Sequence, residues 1–209
     1  MTSPQICIIA ISGQSGSGMT SLAKGLVDKL VRKQVKTSYI SCLFLAEAVL
    51  ERATDKNAWS VKTSDERFSR TIQGEQTSWH EAVLDIDMAI RVGHSDLFPT
   101  NALCSKILKL LSSRQAEVVV VDDVRQMEDY LALKELGARF VRLHIPEGRK
   151  FIAQESEFAS VVQENDMTDV SLDDVEFSLC LRERKTVQEE VDFVMAQLES
   201  YLRTRAALL

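Results

Sequence analysis

The sequence has few of the residues that usually mark a secreted, metal-binding or membrane-spanning protein. Its 209 residues include four cysteines and three histidines. The cysteines are far apart in apolar segments, with no C-x-x-C pair, which favours reduced, buried thiols of a cytoplasmic protein over disulfides. No apolar run reaches the roughly 20 residues needed to cross a bilayer, and residues 1–5 lack the basic segment of a secretory signal. We therefore expect a cytoplasmic protein with no membrane partner. The cysteines are Cys7, Cys42, Cys104 and Cys180.

Basic residues are also fewer than acidic ones, 25 against 31. The net charge of −6 argues against a nucleic-acid partner or an anionic membrane surface. Hydrophobic residues make up 45% and charged residues 27% of the chain, which is typical of a globular protein with a full core. A chain of this length is expected to form one domain, over residues 1–209.

A glycine- and serine-rich segment near the N-terminus is the most informative feature that is present. It matches the phosphate-binding pattern G-x-x-x-x-G-K-[ST], except that methionine stands at the lysine position. A β-branched apolar run precedes it at residues 6–11, and residues 21–31 carry apolar residues at a helical period. Strand, glycine loop and helix in this order form a mononucleotide-binding unit, whose backbone N–H groups point at phosphate oxygens. The segment is Gly13-Gln14-Ser15-Gly16-Ser17-Gly18-Met19-Thr20.

The positions of this segment predict different contributions to nucleotide binding. Gly13 and Gly18 permit tight turns, and Thr20 would place its hydroxyl on Mg²⁺. Met19 has nearly the length of a lysine without its charge, and the loss of one charge-stabilising group typically costs about 3–4 kcal/mol at a transition state. Lys24, one helical turn beyond Thr20, is interpreted as a poor substitute because its head would have to pass the loop. The alternative is a structural turn that binds no ligand.

Apolar strands alternate with helices along the rest of the chain. This alternation predicts an α/β fold with a doubly wound, mainly parallel sheet. Four consecutive valines before Asp122 indicate a strand that is buried on both faces. The predicted strands cover residues 6–11, 37–45, 117–121, 139–145 and 175–181, and the predicted helices cover residues 21–31, 45–52, 77–92, 101–111, 126–136 and 187–202.

One more helix is predicted to begin near Arg67, capped by residues 64–66. On such a helix Arg67 and Arg70 would share a face. They would then either contact the phosphate of an acceptor substrate or form a solvated surface.

A second group of polar residues follows the valine strand. Asp122 and Asp123 come at its carboxyl end, where open parallel sheets bind their ligands. One of them would hold Mg²⁺ together with Thr20, and Arg125, as an exposed side chain at the same edge, would contact a phosphate. The alternative is that an aspartate caps the N-terminus of the next helix.

Around this group the sequence resembles the phage deoxynucleoside monophosphate kinases and the animal phosphomevalonate kinases. The resemblance lies in VDDVRQMED at residues 121–129 and LKELGARFVRL at residues 133–143, and residues 168–183 look like a degraded form of a later family segment. It implies an NMP-kinase-like P-loop NTPase fold, a three-layer sandwich. It also implies acceptor-region helices over about 45–112 and a short lid over about 147–174.

The resemblance implies roles for the site residues as well. Residues 13–20 would bind the phosphates of ATP, with Mg²⁺ on Thr20 and Asp122. Asp123 and Arg125 would face the acceptor or the metal, and Arg142 would lie near the transferred phosphate. The expected reaction is transfer of a phosphoryl group from ATP to a phosphorylated metabolite similar to phosphomevalonate or a nucleoside monophosphate.

Two departures from the family pattern support other hypotheses. Met19 replaces the lysine, and the lid region offers only Arg149 and Lys150 among many acids. Both favour a catalytically inactive protein that binds nucleotide weakly or serves as an interaction module. A third hypothesis is a uridine or cytidylate kinase, because residues 9–24 also resemble the first loop of those enzymes. Those enzymes, however, have an arginine-rich lid, which this chain lacks.

Overall fold

The computed structural model describes residues 7–13, 17–53, 69–72, 75–95, 97–143, 179–181 and 186–206. The chain divides into two compact units, one of residues 1–40 and 106–209 and the other of residues 41–105. The predicted acceptor region, residues 45–112, covers most of the second unit. The predicted lid, residues 147–174, lies outside the described residues, as do Gln14, Ser15 and Gly16 of the glycine loop.

Among the described residues, no helix is both long and apolar enough to cross a membrane.

Strands and helices follow one another in nearly the order that the sequence predicts. The strands are β1 Cys7–Gly13, β2 Thr37–Ser41, β3 Ser69–Ile72, β4 Glu75–Ser78, β5 Val118–Asp122, β6 Arg139–Leu143 and β7 Leu179–Leu181. The helices are α1 Met19–Arg32, α2 Phe44–Ala53, α3 Trp79–Gly93, α4 Leu97–Ser112, α5 Met127–Glu135 and α6 Val187–Ala206.

A five-stranded sheet in the order β2-β5-β1-β6-β7 is the frame of the fold. β1 pairs in parallel with both of its neighbours, so that Ile9 is opposite Val120 on one side and Arg139 on the other. β7 pairs in parallel with β6, and every residue of β5 is buried, as a strand covered on both faces requires. The predicted α/β class with a mainly parallel sheet is confirmed.

Helices cover both faces of this sheet. On one face α1 and α6 pack against alternate residues of the central strands in one apolar cluster. On the other face α5 packs through Tyr130, whose ring centroid is 4.6 Å from that of Phe140 in β6. The sheet is therefore doubly wound. The buried members of the first cluster are Ile9, Ile11, Met19, Leu22, Ala23, Leu26, Leu30, Val118, Val120, Val141, Leu143, Val191, Val194, Met195 and Leu198.

The path of the chain produces a topological switch point at one edge of the sheet. β1 and β5 are adjacent and parallel, but α1 follows β1 onto one face and α5 follows β5 onto the other. The two connections therefore diverge at the carboxyl ends of these strands, which is the arrangement that opens a ligand-binding crevice in α/β sheets. Gly13 and Asp122 end the two strands and stand at this point.

The second unit has a small core of its own, in which α2 packs against α3. A buried ion pair within α3 joins Arg91 Nε to Asp87 Oδ2 at 2.8 Å. The apolar members of this core are Leu43, Ala46, Leu50, Ala82 and Val83.

The prediction of a helix that begins near Arg67 is wrong. Residues 69–72 form β3, which pairs antiparallel with β4 so that Ile72 is opposite Glu75. β-branched residues at Thr71, Ile72 and Thr77 favour strands, and a two-residue connection that contains glycine is a common hairpin signal. Arg70 therefore lies on a strand, and the helical face that it was expected to share does not form.

Candidate functional site

Gly13, the last residue of β1, is required by close packing. A Cβ atom at this position would lie 2.6 Å from Ser17 Oγ and 2.8 Å from the Leu143 carbonyl oxygen. Contacts this short force the surrounding atoms to move, and one of these two is backbone. Ser17 and the end of β6 therefore both lie close against Gly13.

Gly18 forms the N-cap of α1 in a left-handed conformation, with φ of 96°. Glycine adopts this conformation without the steric cost that a side chain would bring. The Gly18 carbonyl accepts the first helical hydrogen bond, from Leu22 N–H at 2.9 Å, and the first turn of α1 contains no acidic residue. The N–H groups and the partial positive charge at this helix end are thus oriented as in an anion-binding helix N-terminus.

Met19, which occupies the lysine position of the motif, does not line the loop with its side chain. It is 4% exposed and belongs to the apolar cluster under the sheet, with Leu22, Leu26 and Met195. Its side chain is the first of a helical stripe that faces the core. Only the backbone of Met19 can contribute to a ligand at the loop.

Asp122, at the end of β5, is a fully buried carboxyl group with one unsatisfied oxygen. Oδ2 accepts a hydrogen bond from the Tyr39 hydroxyl at 2.9 Å. Oδ1 accepts none from any described residue, although the side chain has no exposed surface. A buried polar atom without a partner costs about 1–3 kcal/mol, and more when it is charged.

The surroundings of Asp122 shift its proton affinity. Burial, together with the nearby charge of Asp123, raises the pKa of the Asp122 carboxyl to about 6. The hydroxyls of Thr20 and Tyr39 and the ammonium of Lys24 oppose this rise in pKa, so all three approach the carboxyl. Since Oδ1 has no hydrogen-bond partner, the Thr20 hydroxyl lies beside the group without satisfying that oxygen.

The structure thus brings together the two residues predicted to hold a metal ion, Thr20 and Asp122. Hydroxyl and carboxylate oxygens are the ligands that Mg²⁺ prefers, and the unsatisfied Oδ1 is suited to a cation. The described residues contain no group of three or more side chains that could enclose a metal by themselves. This set fits a Mg²⁺ ion that also takes phosphate oxygens, since Mg²⁺ is commonly held by one or two carboxylates plus a nucleotide.

Asp123 has a different role from its neighbour. Its φ of 56° places it in the left-handed region, which aspartate adopts more readily than most other non-glycine residues. This turn lets the next residue, Val124, donate its N–H to the Ile11 carbonyl at 3.2 Å. The N-cap of α5 is Gln126, with no side-chain capping bond, so the alternative that an aspartate caps this helix is wrong.

Arg125 is not the exposed side chain that the sequence suggested. It is 7% exposed, and its Nη2 and Nε atoms donate to Asp123 Oδ1 at 2.8 and 3.3 Å. The tight turn at Asp123 directs its carboxylate back to the arginine two residues later. The two residues therefore form a buried ion pair at the edge of the sheet, and their catalytic roles stay predictions.

Arg142 lies one residue before the end of β6, opposite Ser12 of β1. Its side chain is buried and, by the alternation of a strand, is on the same side of the sheet as Phe140 and α5. α1 leaves the sheet on the opposite face. The placement of Arg142 near a transferred phosphate stays a prediction.

Comparison with known proteins gives likeness in structure only. No family model matches this chain, and no curated protein sequence matches it. The chain is similar to the APS kinase of Mycobacterium tuberculosis, with 13% identity, 93% of this chain and 96% of that chain covered, and a TM-score of 0.45. It is similar to the shikimate kinase of Acinetobacter baumannii, with 12% identity, coverage of 95% and 96%, and a TM-score of 0.47.

The dephospho-CoA kinase of Campylobacter jejuni is a third similar structure, with 12% identity, coverage of 91% and 96%, and a TM-score of 0.47. All three are small-molecule kinases. At identities of 13% or less and TM-scores below 0.5, these likenesses carry no information on the activity or the substrate of this chain.

Sequence reasoning missed one residue of the site and misjudged another. Tyr39 comes from β2, 83 residues before Asp122, and reaches that carboxyl because β2 lies next to β5. No local pattern signals this contact. Lys24 was interpreted as a poor substitute for the missing lysine because its head would have to pass the loop, but its charge lowers the pKa of Asp122. Its spacing of four residues from Thr20 was the available signal, because residues i and i+4 share a helix face.

Proposed function

We propose that this chain binds the phosphates of a nucleotide together with Mg²⁺, at the carboxyl ends of β1 and β5. The observation that carries the proposal is the Asp122 carboxyl, which is buried with one unsatisfied oxygen beside the Thr20 hydroxyl at the start of α1. A buried carboxylate oxygen is an unfavourable feature unless a cation or a donor completes it.

The backbone around the loop supports binding of phosphate. Gly13 allows the close approach of Ser17 to the sheet, and Gly18 turns the chain into α1 without a side chain above the helix end. The Ser17 hydroxyl is itself buried and has no partner among the described residues. Helix N-terminal N–H groups and a buried hydroxyl are donors, and phosphate oxygens are strong acceptors for both.

Thr20 and Asp122 would hold the Mg²⁺ ion, which would supply positive charge to the bound phosphates. The pKa of about 6 for Asp122 leaves the carboxyl mostly ionised at pH 7, in the form that binds a cation. Tyr39 fixes the orientation of this carboxyl through Oδ2 and leaves Oδ1 for the metal.

The reaction that we propose for this site is transfer of a phosphoryl group from ATP to a phosphorylated small molecule, similar to phosphomevalonate or a nucleoside monophosphate. Such transfer depends on positioning and on charge stabilisation more than on covalent catalysis. Asp123, Arg125 and Arg142 are the residues proposed to face the acceptor. Arg125 would contact the acceptor while it stays paired with Asp123, because a guanidinium carries five donors and the ion pair uses two of them.

Nucleotide binding without transfer is the second candidate function. The burial of Met19 in the apolar core favours it, because the loop then lacks the cation that normally reaches the β- and γ-phosphates. Both candidates share the binding step and differ only in turnover.

Calorimetric titration with ATP and ADP at millimolar Mg²⁺ tests the shared step. We expect measurable heat and a rise in melting temperature with both nucleotides. A protein that shows neither with either nucleotide would contradict the proposed function. Formation of ADP that depends on an added phosphorylated acceptor would then distinguish the phosphotransferase from the binding protein.

A further inference from the structure

The first turns of α1 carry a cation close to the candidate site. Lys24 lies four residues after Thr20, and residues with this spacing share one face of a helix. Side chains on a helix tilt toward its N-terminus, so the Lys24 side chain is directed toward the end of α1 at which Thr20 lies. Because the Thr20 hydroxyl lies beside the Asp122 carboxyl, this is the end of α1 that carries the candidate site.

The Lys24 ammonium group is also close enough to the Asp122 carboxyl to interact with its charge. Lys24 is exposed and forms no salt bridge with a carboxylate in the described part of the chain. Its ammonium group is thus near the site and is not committed to another ion pair there.

The other candidate positions for a site cation have different roles. The Met19 side chain is buried in the apolar core, and Arg125 is paired with Asp123. Phosphate groups carry several negative charges, so a site with Asp122 and Asp123 nearby needs positive charge beyond that of one Mg²⁺ ion.

We propose that Lys24 supplies the positive charge of the phosphate site, in place of a cation at position 19. This inference rests on the proposed nucleotide binding and assigns a further binding residue to it. The Lys24 ammonium is a compact charge with three donors on a flexible stem, and it would contact terminal phosphate oxygens from the side of α1.

The test compares Lys24→Met, which keeps the length of the side chain and removes its charge, with Lys24→Arg, which keeps the charge. Lys36→Met is the matched control, because Lys36 is also an exposed lysine. It lies at the opposite end of the sheet, where its carbonyl accepts hydrogen bonds from residues 117 and 118 at the start of β5. Each protein is titrated calorimetrically with Mg²⁺–ATP, and its melting temperature is recorded without nucleotide.

We expect Lys24→Met to weaken Mg²⁺–ATP binding about tenfold or more, as for the loss of a charge-assisted hydrogen bond, with its melting temperature within about 2 °C of the wild type. Lys24→Arg should keep most of the affinity, and Lys36→Met should bind as the wild type does. Equal affinity of wild type and Lys24→Met, or an equal loss in Lys24→Arg and Lys24→Met, would overturn the inference while leaving nucleotide binding intact. Wild-type protein that binds no Mg²⁺–ATP would overturn the proposed function and this inference with it.

Discussion

At the residue scale, the candidate site centres on the carboxyl group of Asp122. Tyr39 satisfies one oxygen, and the Thr20 hydroxyl and the Lys24 ammonium favour its ionised form. Burial and Asp123 act in the opposite direction and raise its pKa. The ionised carboxyl therefore lowers the stability of the ligand-free protein, and its unsatisfied oxygen is suited to a cation.

The pKa of Asp122 gives a prediction for Asp122→Asn in the absence of Mg²⁺ and nucleotide. The folded-state pKa of about 6 lies above the ordinary value of 3.8, so folding favours the protonated carboxyl. This contribution to stability is fully present below pH 4 and is lost as the pH rises through 6, a change on the order of 3 kcal/mol. Asparagine does not titrate, so the variant should gain stability relative to the wild type between pH 4 and pH 7.

Urea unfolding at several pH values measures this difference. Asp28→Asn, on the exposed side of α1, is the matched control for the loss of one carboxylate. A difference in the free energy of unfolding between Asp122→Asn and the wild type that stays constant from pH 4 to pH 7 would refute the assignment of a raised pKa.

Arg125 gives a second prediction at this scale. Because the pair with Asp123 is buried, Arg125→Ala leaves an uncompensated charge and should lower the free energy of unfolding by about 3–5 kcal/mol. The double substitution Asp123→Asn with Arg125→Ala should recover part of this loss, since it removes the unpaired carboxylate. Thermal unfolding that is unchanged in Arg125→Ala would show that the ion pair contributes nothing to the fold.

At the scale of single elements, α1 explains why the motif departs from its usual form. Its buried residues Met19, Leu22, Ala23, Leu26 and Leu30 make one stripe against the sheet. The period of this stripe was readable in the sequence from Leu22 onward, but its extension to Met19 was not, because the motif assigns that position to the loop. Local pattern predicted most strands and helices within a few residues, and it failed at β3, where no apolar period distinguishes a polar hairpin from a helix.

Met19→Lys tests the role of this stripe. Placing an ammonium group where the methionine packs should destabilise the protein by roughly 3 kcal/mol, because a buried charge without a partner loses its hydration. Met19→Leu is the control and should change the stability by less than about 1.5 kcal/mol. The measurement is urea unfolding of the ligand-free proteins. Tighter Mg²⁺–ATP binding by Met19→Lys with unchanged stability would show instead that position 19 can face the loop.

At the scale of the whole molecule, the order of the strands decides which residues meet. The sequence predicted that Asp122 and the glycine loop would share one edge of a parallel sheet, and the adjacency of β1 and β5 brings this about. It did not predict that β2 would lie beside β5, so the hydrogen bond from Tyr39 to Asp122 was not foreseen. Strand order depends on long-range packing that local periodicity does not encode, whereas strand identity depends on residues that are close in sequence.

The central claim is that Asp122 and the glycine loop bind a nucleotide through Mg²⁺. The most direct test is the titration of wild-type and Asp122→Asn protein with ATP, each in millimolar Mg²⁺ and again in excess EDTA. We expect the wild type to bind ATP at least about tenfold more tightly with Mg²⁺ than with EDTA, and Asp122→Asn to lose this difference. Binding of ATP by the wild type that is equal in Mg²⁺ and in EDTA, or a metal dependence that Asp122→Asn retains in full, would contradict it.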